Sequence, residues 1–374
     1  MKLFELKSQL YRFDNFKAFA EAFNIGKNDL ILTHQFLYDP FMKDLKLDAD
    51  VLIQEKYGTG EPSDEMINTI IADIYDKQYK RVFAIGGGTV IDIAKLLIFK
   101  DGKNTLDMFE KRIEFIKDKE LIVVPTTCGT GSEVTNISIA EIKEKETKMG
   151  LAIDELYPDY AVLIPELVKG LPYKFFVCSS VDALIHAIES YVSPKSNCYT
   201  ELYSIKAIEM ILKGYLEIIE KGPEYRLEII EDFVIASNYA GIAFGNTGVG
   251  AVHALSYPLG GKYHVPHGEA NYQFLTEVFK AYNRLNPDGK IKEINAILAG
   301  ILKLDERADV YEALEIILDK MLTKPTLKEY GMQEEEIEAF TDSVIEKQQR
   351  LLANNYVPLS REDILSIYRN LYFS

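Results

Sequence analysis

Histidine is scarce in this 374-residue chain, which has five: His34, His186, His253, His264 and His267. Cysteine is scarcer, and the three thiols of Cys128, Cys178 and Cys198 include no CxxC pair. An odd number without paired spacing excludes a disulfide framework and suits free thiols in a reducing, cytoplasmic setting. Positive charge is also short, since 42 Lys and Arg face 58 Asp and Glu for a net charge of −16. Such a surface repels polyanions, which excludes nucleic acid as a general partner. Any phosphate group must therefore be held locally, by backbone amides at a helix N-terminus. No apolar run approaches the roughly 18 residues of a membrane span, so no membrane partner is expected. The opening MKLFELKSQLYRF does not have the pattern of a signal peptide. There is no internal repeat and no low-complexity tract.

What is present is ordinary in amount, with 47% hydrophobic and 27% charged residues, and the length points to two domains. Up to about residue 170, short apolar runs alternate with helical stretches, the pattern of a parallel α/β sheet. Buried strands are expected at 30–32, 51–53, 81–85 and 121–124. Val134–Ile142 and Lys148–Ile153 suit a hairpin. Beyond the turn-rich Pro165–Pro172 the pattern becomes helical, with helices expected at 179–192, 200–220, 225–244, 248–257 and 268–285. Gly260–Glu269 reads as a loop.

Two strand ends carry polar, glycine-rich loops. The 81–85 strand runs into Gly86-Gly87-Gly88-Thr89 and then a helix. Consecutive glycines let a ligand approach the amides, and the helix N-terminus behind them suits a pyrophosphate. A tight structural turn explains the same residues. The 121–124 strand ends in PTTCGTGSE, placing Thr126, Thr127, Thr130 and Ser132 at the same sheet edge. A hydroxyl-rich loop satisfied by local bonds is the alternative.

In the helical half, SVDALIHAIESYVS places Asp182 and His186 one turn apart on one helix face. His253 and His267 follow fourteen residues apart, flanking the glycine-rich turn. A carboxylate with three imidazoles suits Fe²⁺, Zn²⁺ or Mn²⁺ far better than Ca²⁺. A dipole-favoured Asp and a core His are the bland reading of the first pair.

GGGTVIDIAK, PTTCGTGSEVT, DALIHAIESYVS and His253…PHGEAN together resemble the iron-dependent, or group III, alcohol dehydrogenases. The likeness runs over essentially the whole chain in the family's order. It implies an α/β dinucleotide-binding domain with a parallel sheet over 1–173. An all-helical metal-binding domain over 174–374 follows, the fold shared with dehydroquinate synthase. Carried over by position, Asp182, His186, His253 and His267 would bind Fe²⁺, with Zn²⁺ possible. Gly86, Gly87, Gly88 and Thr89, with Asp92 behind them, match the pyrophosphate loop of NAD. Thr126, Thr127, Thr130 and Ser132 match the second cofactor loop, and Lys148 matches a lysine reaching the cofactor ribose.

Two positions depart from the pattern. His34 stands where many members have an Asp for the adenosine ribose, which leaves NAD against NADP open. Tyr257 replaces a histidine near the reacting centre, so Tyr257 or His264 is the candidate proton relay. Lys262, Tyr263 and His264 are candidates for a substrate carboxylate. The implied substrate is a small hydroxy acid or its aldehyde, and the implied assembly is a homodimer or larger. A less selective primary alcohol dehydrogenase is an alternative within the family. A metal- and NAD-dependent lyase or cyclase of the dehydroquinate synthase type shares the fold, but the metal motifs offer only Lys262, with Lys195 just outside, where its phosphorylated substrate needs more Lys and Arg. A metal-binding structural protein would leave the two cofactor-type loops without a purpose.

Overall fold

The computed structural model describes residues 2–145, 147–305 and 307–374. It divides into two units, one of Leu6–Leu171 and one of Pro172–Ser374 with the N-terminal residues through Glu5.

The first unit is built on strands β1 (Gln9–Arg12), β2 (Asp29–Thr33), β3 (Asp50–Ile53), β4 (Arg81–Gly86), β5 (Glu120–Pro125) and β8 (Tyr160–Leu163). They form one parallel sheet in the order β1-β8-β5-β4-β2-β3. Strands β6 (Ile137–Ile142) and β7 (Thr147–Ala152) pair separately as an antiparallel hairpin. The helices are α1 (Phe16–Ala22), α2 (Gln35–Phe41), α3 (Asp64–Ile74), α4 (Gly88–Leu96), α5 (Thr105–Phe109) and α6 (Pro165–Lys169).

Both faces of the sheet are covered, which is why its inner strands read as unbroken apolar runs. Leu30, Leu32, Val82, Ala84, Leu121 and Val123 face one core with residues of α3, α4 and α5. Ile31, Phe83, Ile85, Ile122 and Val124 face the other with Phe16, Phe19, Leu37 and Leu167. Strand β1 was not signalled by the sequence because it is an edge strand whose four residues are all exposed. With no buried face it has no apolar alternation to detect.

The second unit is helical: α7 (Tyr173–Val192), α8 (Cys198–Lys221), α9 (Ile230–Thr247), α10 (Ala251–Tyr263), α11 (His267–Leu285), α12 (Lys290–Leu302), α13 (Val310–Met321), α14 (Glu336–Lys347), α15 (Gln349–Leu352) and α16 (Arg361–Phe373). Helix α7 is long and apolar enough to cross a membrane, yet it is buried along nearly all its length inside this unit. A helix apolar all round belongs in a core, and α7 is the axis on which α8, α9 and α11 pack. Several boundaries differ from the sequence reading. α7 begins at Tyr173, α9 begins at Ile230, and Gly260–Tyr263 continues α10 as helix despite the glycines and Pro258.

Candidate metal and cofactor sites

The Asp, His and Glu residues of the otherwise largely apolar α7 fall on one stripe: Asp182, His186 and Glu189, at steps of four and three. The stripe meets the starts of α10 and α11. Asp182 is the hub. Its Oδ1 lies 3.6 Å from His253 Nε2 and 3.8 Å from His267 Nε2, and its Oδ2 lies 4.0 Å from His186 Nδ1. Donor atoms of Asp182, His186 and His253 all lie within 4.8 Å of one another, and all three residues are buried. His267 is the most exposed of the four, its side chain 39% accessible, which makes it the solvent-facing edge of the cluster.

Gly268 is what lets His267 reach this hub. A Cβ there would stand 1.9 Å from the Cys178 carbonyl oxygen and 3.1 Å from Asp182 Cβ. The first turn of α11 therefore lies directly on the α7 backbone. Asn271, one turn further along α11, donates to Asp182 Oδ1 at 2.7 Å. The rings stack as well, with His186 between Phe244 of α9 at 4.1 Å and His253 at 4.7 Å between centroids.

Glu189 completes the centre and was not singled out in the sequence. Its Oε2 is 2.6 Å from His253 Nδ1, and its Oε1 accepts the Val252 N–H at 2.8 Å. An ionised carboxylate only accepts, so Nδ1 donates to Glu189 and Nε2 is the ring atom left to face Asp182. That Nε2 is buried without a hydrogen-bond partner among the described residues. A buried ring nitrogen without a partner beside a carboxylate marks a ligand position, and a carboxylate with imidazoles is the donor set of Fe²⁺ or Zn²⁺. Burial alone would raise the Asp182 carboxyl, but the imidazoles of His186, His267 and His253 outweigh it and hold it well below the usual range. Burial alone would lower His253, and the Asp182 and Glu189 carboxylates instead push it up to about 9.

The other candidates stand as follows. The Tyr257 ring is 6.2 Å from the His267 ring. His264 is exposed, in the left-handed conformation (φ 54°) that ends α10. Lys262 and the Tyr263 hydroxyl both bind Glu336 at the start of α14, a partner more than seventy residues away. Glu269, also in the PHGEAN stretch, is buried and held by Lys174 at 2.9 Å and the Tyr330 hydroxyl at 3.0 Å.

In the first unit, the glycine turn after β4 and the loop after β5 pack edge to edge. A Cβ at Gly87 would stand 3.3 Å from Thr127 Cγ2, and one at Gly88 would stand 3.2 Å from Thr130 Cγ2. Gly86 needs its missing side chain against Val90, where a Cβ would come within 2.6 Å. Thr126 N–H binds the Gly86 carbonyl at 3.0 Å, which continues the β4–β5 register into the loops. Gly87 caps α4 with no side-chain acceptor, and Thr127 Oγ1 is buried without a hydrogen-bond partner among the described residues. Uncapped amides beside an unpaired hydroxyl fit a bound pyrophosphate.

A buried lysine fixes the second loop. Lys95, fully buried on α4, donates to Ser132 Oγ at 2.8 Å, Thr135 Oγ1 at 3.2 Å and the Ile137 carbonyl at 2.8 Å. Ser132 Oγ in turn donates to Asp92 Oδ1 at 3.1 Å, and Asp92 Oδ2 accepts the Ile139 N–H at 3.2 Å. So Asp92 and Ser132 belong to a clamp between α4, the loop and β6. The sequence marks both of them, and the buried Lys95 that joins them has no such signal. Thr89 Oγ1 binds the Gly60 carbonyl at 3.1 Å, and Lys148 on β7 is paired with Glu61 of the same segment. His34 follows β2 as the cap of α2, with its ring stacked on Phe36.

Comparison with known proteins agrees with this division. Residues 10–165 match the family model "Iron-containing alcohol dehydrogenase" and residues 176–372 match "Fe-containing alcohol dehydrogenase family, C-terminal". The chain is 64% identical over 372 residues, the full length of both, to 4-hydroxybutyrate dehydrogenase of Clostridium kluyveri. It is 33% identical over 329 residues to long-chain-alcohol dehydrogenase 1 of Geobacillus thermodenitrificans, covering 86% of this chain and 80% of that one. Among solved structures, an iron-containing alcohol dehydrogenase of Thermococcus thioreducens superposes with TM-score 0.84 at 26% identity, covering 99% of this chain and all of the other. Sulfoacetaldehyde reductase of Bifidobacterium kashiwanohense, solved with NAD⁺, shares the fold with TM-score 0.84 at 24% identity, covering 99% of this chain and 98% of the other.

Proposed function

The chain belongs to the iron-containing alcohol dehydrogenase family, and from that membership we propose that it interconverts 4-hydroxybutyrate and succinate semialdehyde with NAD(H). The observation that carries the substrate is the full-length likeness to the Clostridium kluyveri enzyme. The reaction is hydride exchange between the nicotinamide and the carbon bearing the alcohol or aldehyde oxygen. When bound, iron or zinc supplies Lewis acidity toward that oxygen and the nicotinamide carries the hydride.

The chain's own groups do the rest. Asp182, His186, His253 and His267 would hold the ion, with Glu189 keeping His253 in the ligating tautomer. Gly86–Thr89 and the Thr126–Ser132 loop would bind the cofactor, with Asp92 and Lys95 setting the loop's position. Lys148 is assigned to the cofactor ribose and has to exchange its present partner Glu61. Tyr257, the phenol beside His267, is the proton relay supported by its position, with the exposed His264 as the alternative. Lys262 and His264 are the assigned partners of the distal carboxylate, and Lys262 would have to leave Glu336 to serve. No observation favours the lyase reading. Three cysteines with no disulfide among the described residues support a cytoplasmic enzyme, and a homodimer or larger assembly is expected by light scattering.

The test is NADH consumption with succinate semialdehyde on iron-loaded protein, set against butanal. Turnover with succinate semialdehyde and its loss in His267→Ala, with the fold retained by circular dichroism, are expected. A preference for butanal would shift the reading to a general alcohol dehydrogenase. Full activity of metal-free His267→Ala would overturn it. Lys262→Ala and His264→Ala should weaken the preference for the acid substrate, and an unchanged preference removes both from the carboxylate site.

A further inference from the structure

The residue expected to choose between NAD and NADP, at the end of β2, is a histidine, and a histidine does not repel a 2′-phosphate. The structure brings a carboxylate to the same place from the next strand. Strands β3, β2 and β4 end level, since Thr33 is paired with both Ile53 and Ile85. His34 therefore sits one strand over from the glycine turn that begins at Gly86. Glu55, two residues past the end of β3, leans back across β2. Its Oε1 lies 3.1 Å from His34 Nδ1, a close polar contact that is not an aligned hydrogen bond. Both of its oxygens accept the Gln35 N–H, at 3.3 and 3.2 Å.

We infer that Glu55 is the specificity-determining residue for the adenosine ribose, accepting a hydrogen bond from its 2′-hydroxyl and excluding a 2′-phosphate. This rests on the dehydrogenase reading above. In dinucleotide-binding sheets, the ribose hydroxyls of NAD are taken by an acid at the end of the strand beside the glycine turn. Here β2 ends without one, and Glu55 is the acid held against His34, the residue at that strand end. It is held there by an imidazole and a backbone amide, and its side chain is 36% accessible, so it keeps lone pairs for a ligand. It also occupies the Gln35 N–H, the donor a 2′-phosphate would need. A phosphate arriving there meets a like charge and a donor already used.

The experiment is fluorescence titration of the full-length, iron-loaded protein with NADH and with NADPH, giving two dissociation constants per variant. The wild type should bind NADH more tightly. Glu55→Gln keeps the shape and an acceptor for Gln35 but removes the charge, and it should cut the NADPH-to-NADH ratio of dissociation constants by about tenfold. Most of that change should come from tighter NADPH. Glu55→Asp, which keeps the charge, should retain the preference, and thermal unfolding checks that both variants are folded. The inference is overturned if the ratio in Glu55→Gln stays at the wild-type value, if Glu55→Asp loses the preference, or if the wild type has none. Wild type that binds neither nucleotide overturns the dehydrogenase reading along with it, whereas NADH binding with an unmoved ratio overturns the inference alone.

Discussion

Asp92 and Asp182 each sit one turn before a basic residue of their own helix, Lys95 and His186, and their carboxyls move in opposite directions. Asp92 keeps part of its surface exposed, but its carboxyl is desolvated, which raises it to about 6 against the opposing pull of Lys95. Asp182 is almost wholly buried and is nevertheless held far below the carboxylate range by the imidazoles around it. Depth does not decide the outcome. Asp92 meets neutral donors, Ser132 and Ile139, because the Lys95 ammonium is directed at three other oxygens. Asp182 meets three groups that become cations or hold one. The first arrangement orders a loop, and the second is a centre for positive charge.

Four variants sharpen that contrast. Lys95→Met should have the largest effect, about 3–5 kcal/mol of lost stability by urea unfolding, because three buried acceptors and Asp92 lose their cation. Metal content should be unchanged. Adding Asp92→Leu should recover part of the loss, and a double variant no better than the single would mean the two residues are not coupled. Gly268→Ala should cost about 3 kcal/mol, since the new methyl meets the Cys178 carbonyl and α11 must move off α7. Glu189→Gln should leave the fold intact and weaken metal binding by about 10–100-fold in chelator competition. Unchanged affinity would show that His253 needs no orienting carboxylate.

The smallest effect is a dependence on pH. Asp92 is raised on folding, so its contribution to stability declines as pH climbs from its ordinary value toward about 6. Lys95 is lowered by its burial to about 8, so stability recovers as pH climbs from there toward the ordinary lysine value. The pair is least favourable between those limits. Each slope should be on the order of 1 kcal/mol per pH unit and absent in the Lys95→Met/Asp92→Leu double variant. Equal slopes in that variant and the wild type would assign them to other groups.

Much of the molecule was legible in the sequence because its signals are local. Covered parallel strands need unbroken apolar runs, and 30–32, 81–85 and 121–124 have them within β2, β4 and β5. A helix fixes the spacing of Asp182 and His186 as soon as it forms. Glu189 follows the same rule, as the next polar residue on an apolar helix, but a single Glu has no motif of its own to mark its chemistry. The Lys262–Glu336 pair carried no such signal, since nothing near Lys262 in the chain announces α14.

The sequence by itself determined which chemistry was on offer: a carboxylate and imidazoles at helical spacing, glycines and hydroxyls at strand ends, and a net charge of −16. Local geometry suffices for that, because backbone periodicity sets which neighbours in the chain share a face. Tertiary structure decided which of these groups meet. Gly268 brought His267 onto Asp182, Lys95 tied α4 to the second loop, and Glu55 crossed a strand to stand beside His34. Each depends on packing between segments far apart in the chain, where the distance is set by the shape of everything between them.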